Sequence, residues 1–119
     1  LAGDQSDDLI EKAIDINGVK VLATEVTDVA AKDLRDLADK LKDKLGSAVI
    51  VLASISDNKV SLVSSVTKNI TDKYQAGSIL NHVAIQIGGK GGGRADMAQG
   101  GGTEPKGLPT ALSSVKDLI

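Results

Sequence analysis

The sequence predicts an α/β domain: a small mixed sheet made of two hairpins and covered by helices, with a long Gly-rich loop before the C-terminal helix. Three observations carry this. Apolar residues recur at helical spacing over 30–45 and again over 75–87. Two pairs of strand-like segments flank short polar turns near 17–18 and 56–58. Eight of the 13 glycines fall between Gly88 and Gly102, in the string GGKGGGRADMAQGGG. The 119 residues suit one domain, large enough to bury a core.

In chain order, residues 1–12 read as the end of an upstream helix or linker, and 13–119 as the globular domain. The first residue is Leu1 rather than Met, as expected of a piece of a longer chain. Ala13 to Val26 reads as a hairpin around Asn17-Gly18, the pair preferred where both central residues of a turn need positive φ. Ala30, Leu34, Leu37, Ala38, Leu41 and Leu45 then share one helical face, with Thr27 or Asp28 available as N-cap and Gly46 as terminator. The opposite face, with Lys32, Arg35, Asp36, Asp39, Lys42 and Asp43, reads as solvated. Ala48 to Ala53 is a continuous apolar run suited to a strand buried on both faces, and Lys59 to Val66 is its return strand after a Ser56-Asp57-Asn58 turn. Ala76, Ile79, Leu80, Val83, Ala84 and Ile87 mark a second helix. After the glycines, Pro109 opens a final helix lined by Ala111, Leu112, Val115 and Leu118.

Composition excludes several functions. Without Cys there is no disulfide, zinc–thiolate site or cysteine nucleophile. One Tyr and no Phe or Trp leave no stacking platform for bases. The longest apolar run, Ala48 to Ala53, is far too short to cross a membrane, and the acidic N-terminal stretch is not a signal peptide. His82, the one histidine, lies away from the apolar stripe of its helix with no acidic residue one turn away. It is expected to face solvent without catalytic duty. Ile85 is nearly opposite the same stripe and is expected to be exposed.

The glycine string matches neither G-x-G-x-x-G nor the Walker pattern, since Lys90 is followed by Gly91 and the segment follows a helix. What it offers is a backbone that can approach another surface closely, with Lys90 and Arg94 projecting from it. Glycine N–H groups and an Arg fork together suit phosphate. A bare flexible linker is the alternative. Against it, Arg94 to Gln99 interrupts the glycines, and is expected to form one helical turn with Asp96 as cap and Met97 and Ala98 inward. Charge is polarised too. Residues 1–58 carry 7 Lys/Arg and 12 Asp/Glu, whereas 59–106 carry 6 against 3, so the formal −2 hides a cationic stretch around the glycines.

GGKGGGRADMAQGGG, preceded by AVIVLAS and KVSLVSSVTKNITDKYQAG and followed by a Pro-opened helix, closely resembles the C-terminal, DHH-associated domain of bacterial alanyl-tRNA synthetases. Ala95 stands where that family usually has Pro, and Gly100 where it commonly has Ala; both replacements are expected to loosen the loop. The resemblance implies a noncatalytic, cytoplasmic tRNA-binding accessory domain that meets the tRNA elbow. It would support charging of tRNA(Ala) with alanine, and editing of mischarged Ser- or Gly-tRNA, by upstream domains of the same chain. ATP, magnesium and zinc would belong to those upstream parts, with no cofactor here. The RNA-contacting residues it implies are Lys90, Gly91, Gly92, Gly93, Arg94 and Gln99, to which Lys68 and Lys73 of the cationic stretch are added. Two alternatives stand beside it. One is a homodimerisation module, which exposed Ile85 would serve. The other is the substrate-binding domain of a DHH-type phosphoesterase, where the glycine motif typically ends in His rather than Arg94.

Overall fold

A computed structural model describes residues 9–26 and 30–119 of the chain. Six strands form one sheet: β1 (Ile14–Ile16), β2 (Val19–Glu25), β3 (Ala48–Ser56), β4 (Lys59–Val66), β5 (Lys90–Gly93) and β6 (Met97–Gly102). Their order is β1-β2-β3-β4-β6-β5, antiparallel throughout except for the parallel β2–β3 pair. Among the described residues, helix is also found at Leu9 and Ile10 and over α1 (Ala31–Leu45), α2 (Ala76–Gln86) and α3 (Leu108–Ser113). The mixed α/β architecture with two leading hairpins is as the sequence predicts.

Both predicted turns have the geometry their residues favour. Asn17 and Gly18 take φ of 54° and 84°, and Asp57 and Asn58 take 51° and 64°. The flanking pairs Ile16↔Val19 and Ser56↔Lys59 therefore close two-residue loops. Helix α1 ends at Gly46, whose N–H still donates to the Lys42 carbonyl and whose φ of 81° turns the following chain out of the helix. At the other end of α1, Ala30 holds the N-cap position with no side-chain bond; the expected caps Thr27 and Asp28 lie outside the described residues.

The parallel β2–β3 pair requires a crossover, and α1 supplies it. Leu34 and Leu41 pack on Leu22, Ile50, Leu52 and Val63 from one face of the sheet. On the other face, α2 and the C-terminal segment bury Leu80, Val83, Leu112 and Val115 against Val49, Val51 and Leu62. With helices on both sides, β3 is buried from Ala48 through Ser54. Each fully buried Leu, Ile or Val contributes about 1.5–3 kcal/mol, so an aliphatic core suffices without aromatics. Leu9 is buried against the α1-side cluster.

Several expectations are corrected. The Gly-rich segment is not a loop: it is a third hairpin, with β5 on the edge and β6 paired to β4. The expected helical turn over 94–99 is absent; Arg94 to Asp96 connect the two strands and Met97 already belongs to β6. Ala98 does pack inward, at 2% exposure. Glycine disfavours strands through its entropy cost, which is why the sequence reads as a loop. Here close packing offsets that cost. A Cβ on Gly91 would stand 2.7 Å from Leu80 Cδ2, one on Gly93 2.6 Å from Ala98 Cα, and one on Gly101 2.3 Å from the Val60 carbonyl oxygen. Gly100, expected to loosen a loop, instead lies against β5, where a Cβ would be 2.6 Å from Gly91 Cα.

His82 is also corrected. It is half-buried, and its Nε2 lies 3.0 Å from Ser114 Oγ. Ser114 Oγ donates to the Ala111 carbonyl and accepts from Gln86 Nε2. The flank of α2 that carries His82 and Gln86 is thus covered by the C-terminal segment, which helical periodicity within α2 alone does not reveal. Leu118, expected on the buried side, is 39% exposed, because the chain tightens into a 3-10 helix over Ser114–Leu118 and rotates it outward. Ile85 is exposed as expected, at 61%.

Candidate nucleic-acid interface

The register of the sheet decides which hairpin residues share a face. Val63 belongs to the α1-side core and pairs with Gln99, which in turn pairs with Gly92. Side chains alternate along a strand, so Lys90, Gly92, Met97 and Gln99 lie on the α1 side. Gly91, Gly93, Ala98 and Gly100 lie on the α2 side. Arg94 continues the ladder, its N–H donating to the Met97 carbonyl at 2.7 Å.

Helix α1 packs over β3 and β4 but does not extend over β5 and β6. The α1 side of the hairpin is therefore open, and a groove of about 350 Å³ runs between helix and hairpin. One wall is Arg35, Asp39 and Lys42; the other includes Gly92, Arg94 and Gln99. Arg35 and Arg94 are exposed, whereas Asp39 and Lys42 are half-buried and pair at 3.7 Å. On the opposite side of the hairpin, a hollow of about 360 Å³ is lined by Gln75, Ser78, Asn81 and the glycines, with Arg94 at its edge.

The α2 N-terminus, which could hold an anion in a different setting, is occupied by the protein itself. Ala76 N–H donates to the Ala95 carbonyl at 2.8 Å and Gly77 N–H to the Arg94 carbonyl at 3.2 Å. These bonds fix the 94–96 connection on the helix and hold Arg94 at the mouth of both hollows. Gly77 permits the approach, since a Cβ there would stand 3.1 Å from the Gly93 carbonyl oxygen.

The sequence-predicted residues divide accordingly. Gly92, Arg94 and Gln99 meet at the groove, and Lys90 shares their face at the far end of β5, about 13 Å from Arg94 at ordinary strand rise. Gly91 packs against Leu80 of α2, and Gly93, though exposed, lies too close to Ala98 and Met97 of β6 to carry a side chain. Gly92 alone of the three has nothing within 4 Å of a built Cβ. Lys68 and Lys73 are exposed on the connection from β4 to α2 and do not line the groove. Sequence reasoning passed over Arg35, Asp39 and Lys42 by assigning them to a solvated face. Their i, i+4, i+7 spacing did mark one stripe of α1, but only the strand order shows what that stripe borders.

Comparison with known proteins follows the same line. The DHHA1 domain family matches residues 18–119. The chain is 62% identical over 119 residues to an alanine–tRNA ligase of Vesicomyosocius okutanii, and 55% identical over 117 residues to one of Saccharophagus degradans. It covers 100% and 98% of itself in these matches, but spans only 14% and 13% of the length of the two ligases. Among solved structures, the C-Ala domain of Aquifex aeolicus alanyl-tRNA synthetase superposes with a TM-score of 0.84 at 33% identity, over 91% of this chain and 97% of that one. The chain belongs to the DHHA1 domain family and is of the C-Ala type found in alanyl-tRNA synthetases.

Proposed function

We propose that this domain is a tRNA-binding accessory of an alanine–tRNA ligase, docking the phosphate backbone of tRNA(Ala) at its elbow while domains elsewhere in the parent chain activate alanine and charge or edit the tRNA. ATP, magnesium and zinc serve those other domains. The observation that carries the reading is the shared face: strand alternation aligns Lys90, Gly92, Arg94 and Gln99 on the side of the hairpin that α1 leaves open. Arg94 supplies a planar fork for phosphate, Lys90 a second charge, and Gly92 a point where a backbone can come close. Lys68 and Lys73 add to the positive field around this end of the sheet without touching the groove. Recognition by backbone and shape suits a chain without stacking aromatics.

A homodimer through the β5 edge is the weaker reading. Antiparallel self-pairing about Gly92 would set Lys90 of one copy against Arg94 of the other, and like charges directly opposed destabilise a strand pair. The same charges blunt the open edge against unwanted pairing.

The test is a gel-shift titration of a tRNA(Ala) transcript with the Lys90→Ala/Arg94→Ala variant at several salt concentrations. Removing two phosphate-binding cations is expected to flatten the log–log salt slope by about 1.4–1.8 and to weaken binding at low salt. Unchanged affinity in a folded variant overturns the assignment.

A further inference from the structure

Building on that reading, we infer that the RNA backbone lies in the groove between α1 and the β5–β6 hairpin, so that Arg35 and Lys42 of α1 hold phosphate opposite Arg94. The hairpin offers two hollows, and their chemistry differs. The α2-side hollow presents neutral amides and hydroxyls from Gln75, Ser78 and Asn81, with Arg94 as its one charge. The α1-side groove presents three cations, Arg35, Lys42 and Arg94, against Asp39 and Asp96. The formal charges sum to +1 on either side, but only the α1 side sets further cations, Arg35 and Lys42, across from Arg94.

Geometry selects the α1 side. Arg35, Asp39 and Lys42 stand at i, i+4 and i+7, a single stripe of α1 facing the hairpin. Leu34, Ala38 and Leu41 beside them are at most 1% exposed, so the stripe is held in place by the core. Across the groove, Gly92 presents no side chain, and Met97 and Ala98 complete the lining. Arg35 and Arg94 are both exposed, and neither pairs with a carboxylate among the described residues. Two guanidinium forks on facing walls suit successive phosphates of one strand. Asp39 is the one carboxylate of the α1 wall. It neutralises part of Lys42 and opposes the ligand.

The experiment measures tRNA(Ala) transcript affinity against salt for Arg35→Ala/Lys42→Gln, Asp39→Asn, Arg94→Ala and Lys32→Ala. Lys32 is an exposed cation on the same helix outside the groove lining. Removing one phosphate-binding cation is expected to weaken binding about 5- to 8-fold at ~0.1 M salt, hence about 25- to 60-fold for the Arg35/Lys42 variant. Lys32→Ala should change little. Asp39→Asn should bind tighter than the parent chain, a gain that misfolding cannot produce. If Arg94→Ala weakens binding while the Arg35/Lys42 variant matches Lys32→Ala, the groove route is overturned and the broader reading stands. If neither Arg94→Ala nor the α1 variants change binding, both fall.

Discussion

Glycines in one short motif have opposite physical duties. A Cβ at Gly89 would be 1.7 Å from the Gly101 carbonyl oxygen, and one at Gly101 would be 2.3 Å from that of Val60. Backbone atoms cannot give way as a side chain can. Gly89→Ala and Gly101→Ala are therefore expected to destabilise by at least about 1–3 kcal/mol in urea unfolding. Gly92→Ala meets open space at a φ that alanine accepts, and should stabilise by about 0.4–1 kcal/mol through the unfolded chain. It should nonetheless weaken tRNA binding, by placing a methyl group where a backbone approaches. A stability loss at Gly92 would contradict the hairpin geometry. Ser64 offers a second test. Its hydroxyl is buried and has no hydrogen-bond partner among the described residues. Ser64→Ala is expected to raise stability by about 1 kcal/mol, because it removes an uncompensated desolvation cost. A loss of similar size would reveal a partner for that hydroxyl.

At the scale of elements, the two leading hairpins are set by their turns. Gly18, at φ 84°, has no steric objection to a left-handed conformation, whereas alanine pays about 1–2 kcal/mol there. Asn58, at φ 64°, already tolerates that region, and glycine would remove its residual strain. Gly18→Ala is thus expected to lower the unfolding midpoint, and Asn58→Gly to raise stability by a few tenths of a kcal/mol. Equal effects of the same sign would rule out these turn conformations. The helices and the first four strands were legible for the same reason: apolar spacing and turn chemistry agree over each of them. Lys59 to Val66 is the observed span of β4, and Ala76 to Gln86 falls within one residue of the expected helix at each end. β5 and β6 were not legible, because glycine carries no periodic side-chain signal and its local preference points the wrong way. Gly91 and Gly100 become strand residues through Leu80 of α2 and through each other, neighbours they meet only once the sheet assembles.

At the scale of the molecule, a parent ligase lacking this domain is expected to show a raised KM for tRNA with its ATP-dependent activation of alanine unchanged. Loss of activation would mean that the domain supports the catalytic architecture rather than the RNA. On the proposed reading, weak contacts at this domain would still count in a full-length ligase, since tethering to other RNA-binding parts raises the effective concentration. The modest −2 charge is consistent with this, because the cationic stretch around the glycines is partly cancelled by an acidic first half. Among the described residues, no helix is long and apolar enough to cross a membrane. The α/β class, the two leading hairpins, the apolar stripes of α1 and α2 and the family were legible in the amino-acid sequence, since these rest on local periodicity, turn residues and a specific glycine motif. That the motif is an edge hairpin, that His82 braces the C-terminal segment, and that Arg35 and Lys42 border the same groove as Arg94 became visible in the folded chain alone. Those three depend on strand order and on which sheet face each helix covers, which arise from long-range packing and leave no trace in residue spacing.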